Sequence, residues 1–179
     1  MKILTFDELS QYRNKFESLY ESISLGLEDA EYEDGKNIFL SHSSKDKEII
    51  LPGVIKFLQE LGGNIYIDKE DEDLPNHTNR KIADILKKRI EELPKFILII
   101  TKNSFDSRWI PWELGLADGI GKYDNIALLP IGKYSSDIDW IGQEYLGLYK
   151  KVIRNNYNQW IVQDENQSVS IGLKEWIND

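Results

Sequence analysis

Phe96-Ile-Leu-Ile-Ile100 is an unbroken apolar run, and it is followed by Ser104-Phe-Asp-Ser-Arg-Trp-Ile-Pro-Trp-Glu-Leu-Gly-Leu-Ala-Asp-Gly-Ile-Gly121. An apolar run without alternation is typical of a strand that is buried on both faces of a sheet. The second stretch predicts a loop and then a helix over residues 109–120. Trp109 and Glu113 lie four residues apart in that helix and therefore share one face.

Similar strands and helices alternate on both sides of this pair. Strands are predicted at residues 37–41, 64–68, 96–101 and 125–131, and a weaker one at 151–153. Helices are predicted at residues 51–61, 78–93, 109–120 and 170–177. Buried strands that alternate with helices specify a parallel sheet that is covered on both faces, with right-handed crossovers. The predicted fold is therefore α/β, a doubly wound and mostly parallel sheet of five strands with one extra N-terminal helix.

The N-terminal segment carries clear helix signals. Thr5-Phe-Asp-Glu8 matches a capping box, in which the two side chains satisfy each other's backbone donors. An apolar stripe at helical spacing follows it, formed by Leu9, Tyr12, Phe16, Leu19 and Ile23. An acidic linker comes next, so we divide the chain into a helix and linker at residues 1–35 and a main domain at residues 36–179. The helix either packs on the domain or pairs with another chain.

Composition excludes several classes of function. The chain has 31 acidic against 22 basic residues and a net charge of −9, which argues against a general affinity for nucleic acid. It has no cysteine, so disulfides, thiol catalysis and cysteine–zinc sites are excluded. His42 and His77 are its two histidines, and we expect no metal site. No apolar run is long enough to span a bilayer, and the N-terminus lacks the apolar core of a signal peptide. A cytoplasmic protein is therefore expected.

Polar segments follow three of the predicted strands. The first, Ser41-His-Ser-Ser44, offers hydroxyls and backbone N–H groups for ribose or phosphate, or else caps the next helix. The second, residues 68–79, is strongly acidic but lacks the ligand spacing of a calcium loop, which favours a solvated flap. The third carries Trp109 and Glu113, which serve either chemistry or ordinary packing. Because the carboxyl ends of parallel strands converge on one crevice, we favour a site that all three segments share.

Three of these segments together resemble a TIR domain of bacterial type. They are Phe39-Leu-Ser-His-Ser-Ser-Lys-Asp46, the loop of residues 68–79, and Ser107-Arg-Trp-Ile-Pro-Trp-Glu-Leu-Gly115. The resemblance implies a flavodoxin-like fold and, as in many bacterial and plant members, cleavage of NAD+ without a further cofactor. It makes Glu113 the catalytic glutamate. It places the nucleotide-contacting positions on Ser43 and Ser44 and the nearby aromatic on Trp109. The substrate-binding residues that we predict are Ser41, Ser43, Ser44, Asp68, Ser107 and Trp109.

The loop of residues 68–79 matches the flexible BB loop of the family, with two departures. Pro75-Asn76 stands where the family usually has Pro-Gly, and asparagine tolerates the left-handed conformation that glycine supplies. Leu74 replaces a polar or basic residue, so no contact is carried over to that position. His77 in this loop is interpreted as an exposed residue rather than a catalyst.

The resemblance implies an NAD+ glycohydrolase or ADP-ribosyl cyclase that breaks the nicotinamide–ribose bond. Glu113 then binds ribose hydroxyls, stabilises the ribosyl cation or attacks it, while Trp109 stacks on the ligand or excludes water. The product is expected to be an ADP-ribose-derived signal in anti-phage immunity, as in Thoeris systems, which a separate effector detects. Self-association through TIR surfaces and the BB loop is expected as well. Two alternatives remain open, a non-catalytic TIR interaction module and an enzyme similar to nucleoside deoxyribosyltransferases.

Overall fold

A computed structural model describes residues 2–13, 37–67, 80–137, 144–164, 166, 168 and 170–179. Within them the chain forms one eight-stranded sheet with helices on both faces. The strands are β1 Leu4–Thr5, β2 Ile38–Ser41, β3 Ile65–Tyr66, β4 Lys95–Ile100, β5 Ile126–Gly132, β6 Lys150–Arg154, β7 Trp160–Gln163 and β8 Ser170–Gly172. The helices are α1 Phe6–Arg13, α2 Leu51–Glu60, α3 Arg80–Glu92, α4 Ile110–Gly119 and α5 Leu173–Asn178. No helix in these ranges is long and apolar enough to cross a bilayer.

The strand order confirms the predicted flavodoxin-like fold. The main path of the sheet runs β3-β2-β4-β5-β6-β7-β8, and every pair from β3 to β6 is parallel. The first five strands on this path correspond to the order 2-1-3-4-5 of flavodoxin-like sheets. Strand order reverses between β2 and β4, where Ser41 pairs with Leu98. This topological switch point is where such sheets bind their ligands.

The sheet has eight strands where the sequence predicted five. The five predicted strands are present as β2 to β6, and β7 and β8 extend the sheet with antiparallel pairs beyond β6. A turn joins β6 to β7, in which Asn155 Oδ1 accepts from the N–H groups of Tyr157 and Gln159, and Asn158 takes a positive φ of 62°. β8 occupies residues 170–172 of the predicted last helix, so α5 begins at Leu173.

The apolar run of β4 is unbroken because both faces of the sheet are covered. Ile97 and Ile99 face one core cluster, which α2 and α5 complete with residues such as Val54 and Trp176. The alternate residues of β4 face a second cluster, and these residues are Phe96, Leu98 and Ile100. α3 and α4 complete this second cluster. Alternation therefore places every residue from Phe96 to Ile100 in a core.

The described part of the N-terminal segment packs on the main domain. β1 pairs with the end of β5, where Leu4 lies opposite Ile131. α1 packs so closely on α2 that a Cβ added at Gly53 would lie 2.7 Å from the Leu9 carbonyl oxygen. The remaining stripe residues Phe16, Leu19 and Ile23, and the acidic linker, lie outside the described residues. The division of the chain at residue 35 stays a prediction.

The predicted capping box at the start of α1 is confirmed, and it is tied to the sheet. Glu8 Oε2 accepts from the Thr5 N–H at 3.0 Å, and the Glu8 N–H donates to Thr5 Oγ1 at 3.3 Å. The other oxygen of Glu8 accepts from Arg154 Nη1 at 2.5 Å, and the Arg154 guanidinium lies 4.3 Å from the centre of the Trp160 ring. One carboxylate therefore joins α1 to β6.

We predict that Glu8→Ala lowers the free energy of unfolding by about 1–2 kcal/mol, since it removes a cap and leaves a half-buried guanidinium without its carboxylate. Urea denaturation measures the change. Asp7→Ala in the same turn is the matched control, because Asp7 is exposed. Equal losses in both variants would contradict the role assigned to Glu8.

Candidate active site

Two loops meet at the switch point of the sheet. The loop after β2 passes through His42 and Ser43 into a 3₁₀ turn at Ser44–Asp46. The loop after β4 begins at Thr101, forms a 3₁₀ turn at Lys102–Asp106 and leads into α4. The structure therefore brings the first and third polar segments together, as the sequence predicted.

Glu113 is a buried carboxylate at the start of α4. It is 5% exposed, and its Oε2 accepts a hydrogen bond from Ser41 Oγ at 2.5 Å. This distance lies in the range of charge-assisted bonds between a hydroxyl and a carboxylate. The Glu113 N–H donates to the Trp109 carbonyl at 2.8 Å, which places the carboxylate in the first helical turn, where the helix dipole favours negative charge. The alternative of an exposed helix-surface acid does not fit this burial.

Two indoles lie at the same end of α4. The Trp109 and Trp112 rings meet edge to face, with centroids 5.3 Å apart and planes at 87°. Trp109 packs against the second core cluster and is half-buried, whereas Trp112 is 39% exposed. Trp109 therefore contributes to the core and also borders the helical turn that carries Glu113.

The serines after β2 do not cap the next helix. Ser43 occupies the N-cap position of the 3₁₀ turn but makes no side-chain cap bond, and the N-cap residue of α2 is Ile50. Ser43 is buried and Ser44 is exposed. The capping interpretation of these serines is therefore wrong for both elements.

Ser107 and Asp68 differ from the other predicted site residues. Ser107 Oγ accepts from the Ile110 N–H at 3.4 Å, so this hydroxyl supports the first turn of α4. Asp68 and the whole loop of residues 68–79 lie outside the described residues. Their substrate-binding and BB-loop roles stay predictions.

Sequence reasoning missed Asp46, which is the most deeply buried charged group between the two loops. It is 0% exposed, although Lys45 and Lys47 flank it in the sequence. Its Oδ2 accepts from Thr101 Oγ1 at 2.6 Å and its Oδ1 accepts from Asn103 Nδ2 at 2.5 Å. The flanking lysines indicate a surface position, so this burial could not be predicted from the local sequence.

Comparison with known proteins identifies the class to which this fold belongs. A family model described as "TIR domain" matches residues 38–168, and the chain belongs to that family. The "Probable 3' cyclic ADP-D-ribose synthase ThsB'" of Bacillus cereus (strain MSX-D12) is 34% identical over 180 residues, covering 96% of this chain and 87% of the relative. The "Putative cyclic ADP-D-ribose synthase TIR2" of Cytobacillus dafuensis is 34% identical over 89 residues, covering 48% of this chain and 23% of the relative.

Among solved structures, the chain matches the TIR domains of the activated Roq1 resistosome that directly recognises the pathogen effector XopQ. The identity is 22% and the TM-score is 0.38, over 54% of this chain and 57% of the other.

Proposed function

We propose that this protein cleaves NAD+ at the nicotinamide–ribose bond and closes the remaining ADP-ribose into a cyclic product. The observation that carries the proposal is the buried Glu113 carboxylate, held by Ser41 at the switch point of a TIR domain. The cyclic product is supported by the names of the two relatives, of which the first aligns over nearly the whole chain.

The leaving group explains why one carboxylate suffices for cleavage. Nicotinamide is bound to ribose as a pyridinium, so it departs as a neutral molecule with the bonding electron pair and needs no proton. Positive charge then develops at the anomeric carbon of ribose. A preorganised carboxylate shielded from water stabilises such a cation strongly. Glu113 supplies this charge, and the hydrogen bond from Ser41 orients its carboxylate.

The acceptor that attacks the anomeric carbon determines the product. When a ribose hydroxyl of the same molecule attacks, its oxygen forms the new bond and its proton passes to a base, for which Glu113 is our candidate. When water attacks instead, the product is ADP-ribose. Cyclisation therefore requires that the site exclude water, a task that fits the half-buried indole of Trp109.

The remaining parts of the proposal concern binding and biology. Ser43 and Ser44 bind the nucleotide, which agrees with the absence of cap bonds from Ser43. Asp68 and the BB loop complete the site, and self-association through TIR surfaces supports activity. The product serves as a signal to a separate effector in anti-phage defence, by analogy with Thoeris systems.

Incubation of the purified protein with NAD+ tests the proposal. High protein concentrations are included because we propose that self-association supports activity. We expect release of nicotinamide and a product with the mass of ADP-ribose less one water. Intact NAD+ at every concentration would favour the interaction module. Exchange of bases on deoxynucleosides, with NAD+ intact, would favour the deoxyribosyltransferase alternative.

Trp109→Ala is expected to change the product more than the rate. Removal of the indole admits water, so the ratio of ADP-ribose to cyclic product should rise by about 10-fold or more. Chromatography of the products measures the ratio, and Trp109→Phe, which keeps an aromatic ring, is the control. An unchanged ratio in Trp109→Ala would contradict the role of this residue in water exclusion.

A further inference from the structure

Asp46 joins the two loops that carry the candidate site. It belongs to the loop after β2, since its N–H donates to the Ser43 carbonyl at 2.9 Å. Both of its carboxylate oxygens accept from the loop after β4, one from Thr101 Oγ1 and one from Asn103 Nδ2. Asp46 is therefore bonded through its backbone to one loop and through its side chain to the other.

The loop after β4 is itself stabilised by hydrogen bonds. Thr101 Oγ1 accepts from the Asn103 N–H at 3.0 Å, and Ser104 Oγ accepts from the Thr101 N–H at 3.0 Å. Ser104 Oγ also donates to the Ile99 carbonyl at 3.0 Å, which anchors the turn to β4. Asp46 is therefore hydrogen-bonded to a turn that is itself anchored to β4.

A contribution to stability does not by itself explain why the Asp46 carboxylate is buried. A buried carboxylate is costly unless its hydrogen bonds are complete, and well-packed apolar residues often replace buried charged groups without loss of stability. A charged group with directional bonds does, however, define the relative position of the segments that it joins. The segments joined here lead to Ser41 on one side and to Glu113 on the other.

We propose that Asp46 is a positioning residue, which holds the loop after β2 against the loop after β4 so that the hydrogen bond from Ser41 to Glu113 is maintained. The inference rests on the proposed function for its catalytic consequence. Asp46 acts through Thr101 and Asn103 and does not itself touch the reacting atoms.

An exchange of side chains tests the proposal. Asp46→Asn places two amides against each other, and Asn103→Asp places two carboxylates against each other. The double variant restores one amide and one carboxylate with their places exchanged. Each single variant should lower kcat per folded protein by about 10- to 100-fold with KM changed less than about 3-fold, and the double variant should recover most of kcat.

Lys45→Gln provides the matched control. Lys45 Nζ and Asp106 Oδ2 form a 2.6 Å ion pair between the same two loops, but both side chains are largely exposed. Loss of an exposed pair should change kcat less than about 2-fold.

Hydrogen–deuterium exchange gives a readout that does not depend on activity. In Asp46→Asn, backbone amides of residues 42–46 and 102–107 should exchange about 10-fold faster, and the double variant should restore protection. Wild-type protein that leaves NAD+ intact would contradict the proposed function. Hydrogen–deuterium exchange alone would then decide whether Asp46 positions the two loops. Unchanged exchange and kcat in Asp46→Asn, or a double variant no better than the single ones, would overturn the positioning role.

Discussion

Glu113→Gln is expected to lower NAD+ turnover by at least about 1,000-fold, because it removes the negative charge that, in the proposed mechanism, stabilises the ribosyl cation. Glutamine has nearly the same shape, and its amide oxygen still accepts the hydrogen bond from Ser41. The fold should therefore survive, and the melting temperature should stay close to that of the wild type. Release of nicotinamide per folded protein measures the effect.

Glu91→Gln is the matched control for this variant, since Glu91 is an exposed residue on α3. It should leave turnover within about 2-fold of the wild type, as surface substitutions remote from a site usually do. Undiminished turnover in Glu113→Gln would remove Glu113 from the mechanism, whatever the product.

Ser41→Ala is expected to lower kcat by about 100-fold, in the range found when one preorganised donor is removed from an active site. The variant removes the 2.5 Å hydrogen bond that orients the Glu113 carboxylate and leaves a buried acceptor without that donor. Steady-state kinetics with NAD+ measures kcat and KM. The control Ser10→Ala removes an exposed hydroxyl that donates to the Asp7 carbonyl on α1. Equal kinetics in Ser41→Ala and Ser10→Ala would show that Ser41 does not serve the reaction.

The sequence predicted those parts of the fold that depend on local pattern. The unbroken apolar run of β4 and its helical partner α4 were recognisable because both faces of a parallel sheet are covered. β7 and β8 were missed because they are short and half-exposed, and their pairing rather than their composition defines them. β1, with two residues, exists through its pairing with β5.

The candidate site also has features that the sequence could predict and features that it could not. Ser41 and Glu113 were predictable as candidates, since Ser41 is the last residue of β2 and Glu113 lies in the first turn of the helix that follows the neighbouring strand β4. The burial of Asp46 was not predictable, because it depends on donors that lie 55 and 57 residues further along the chain. The absence of a cap bond from Ser43 likewise depends on backbone geometry that the residue type does not determine.

If this chain cleaves NAD+ and excludes water from the ribosyl cation, no oxygen from the solvent should enter the product. The most direct measurement is a mass spectrum of the reaction products formed in water enriched in heavy oxygen. We expect free nicotinamide together with a cyclic product that has the mass of ADP-ribose less one water and carries no heavy oxygen. Intact NAD+, or ADP-ribose labelled with heavy oxygen as the sole product, would contradict it.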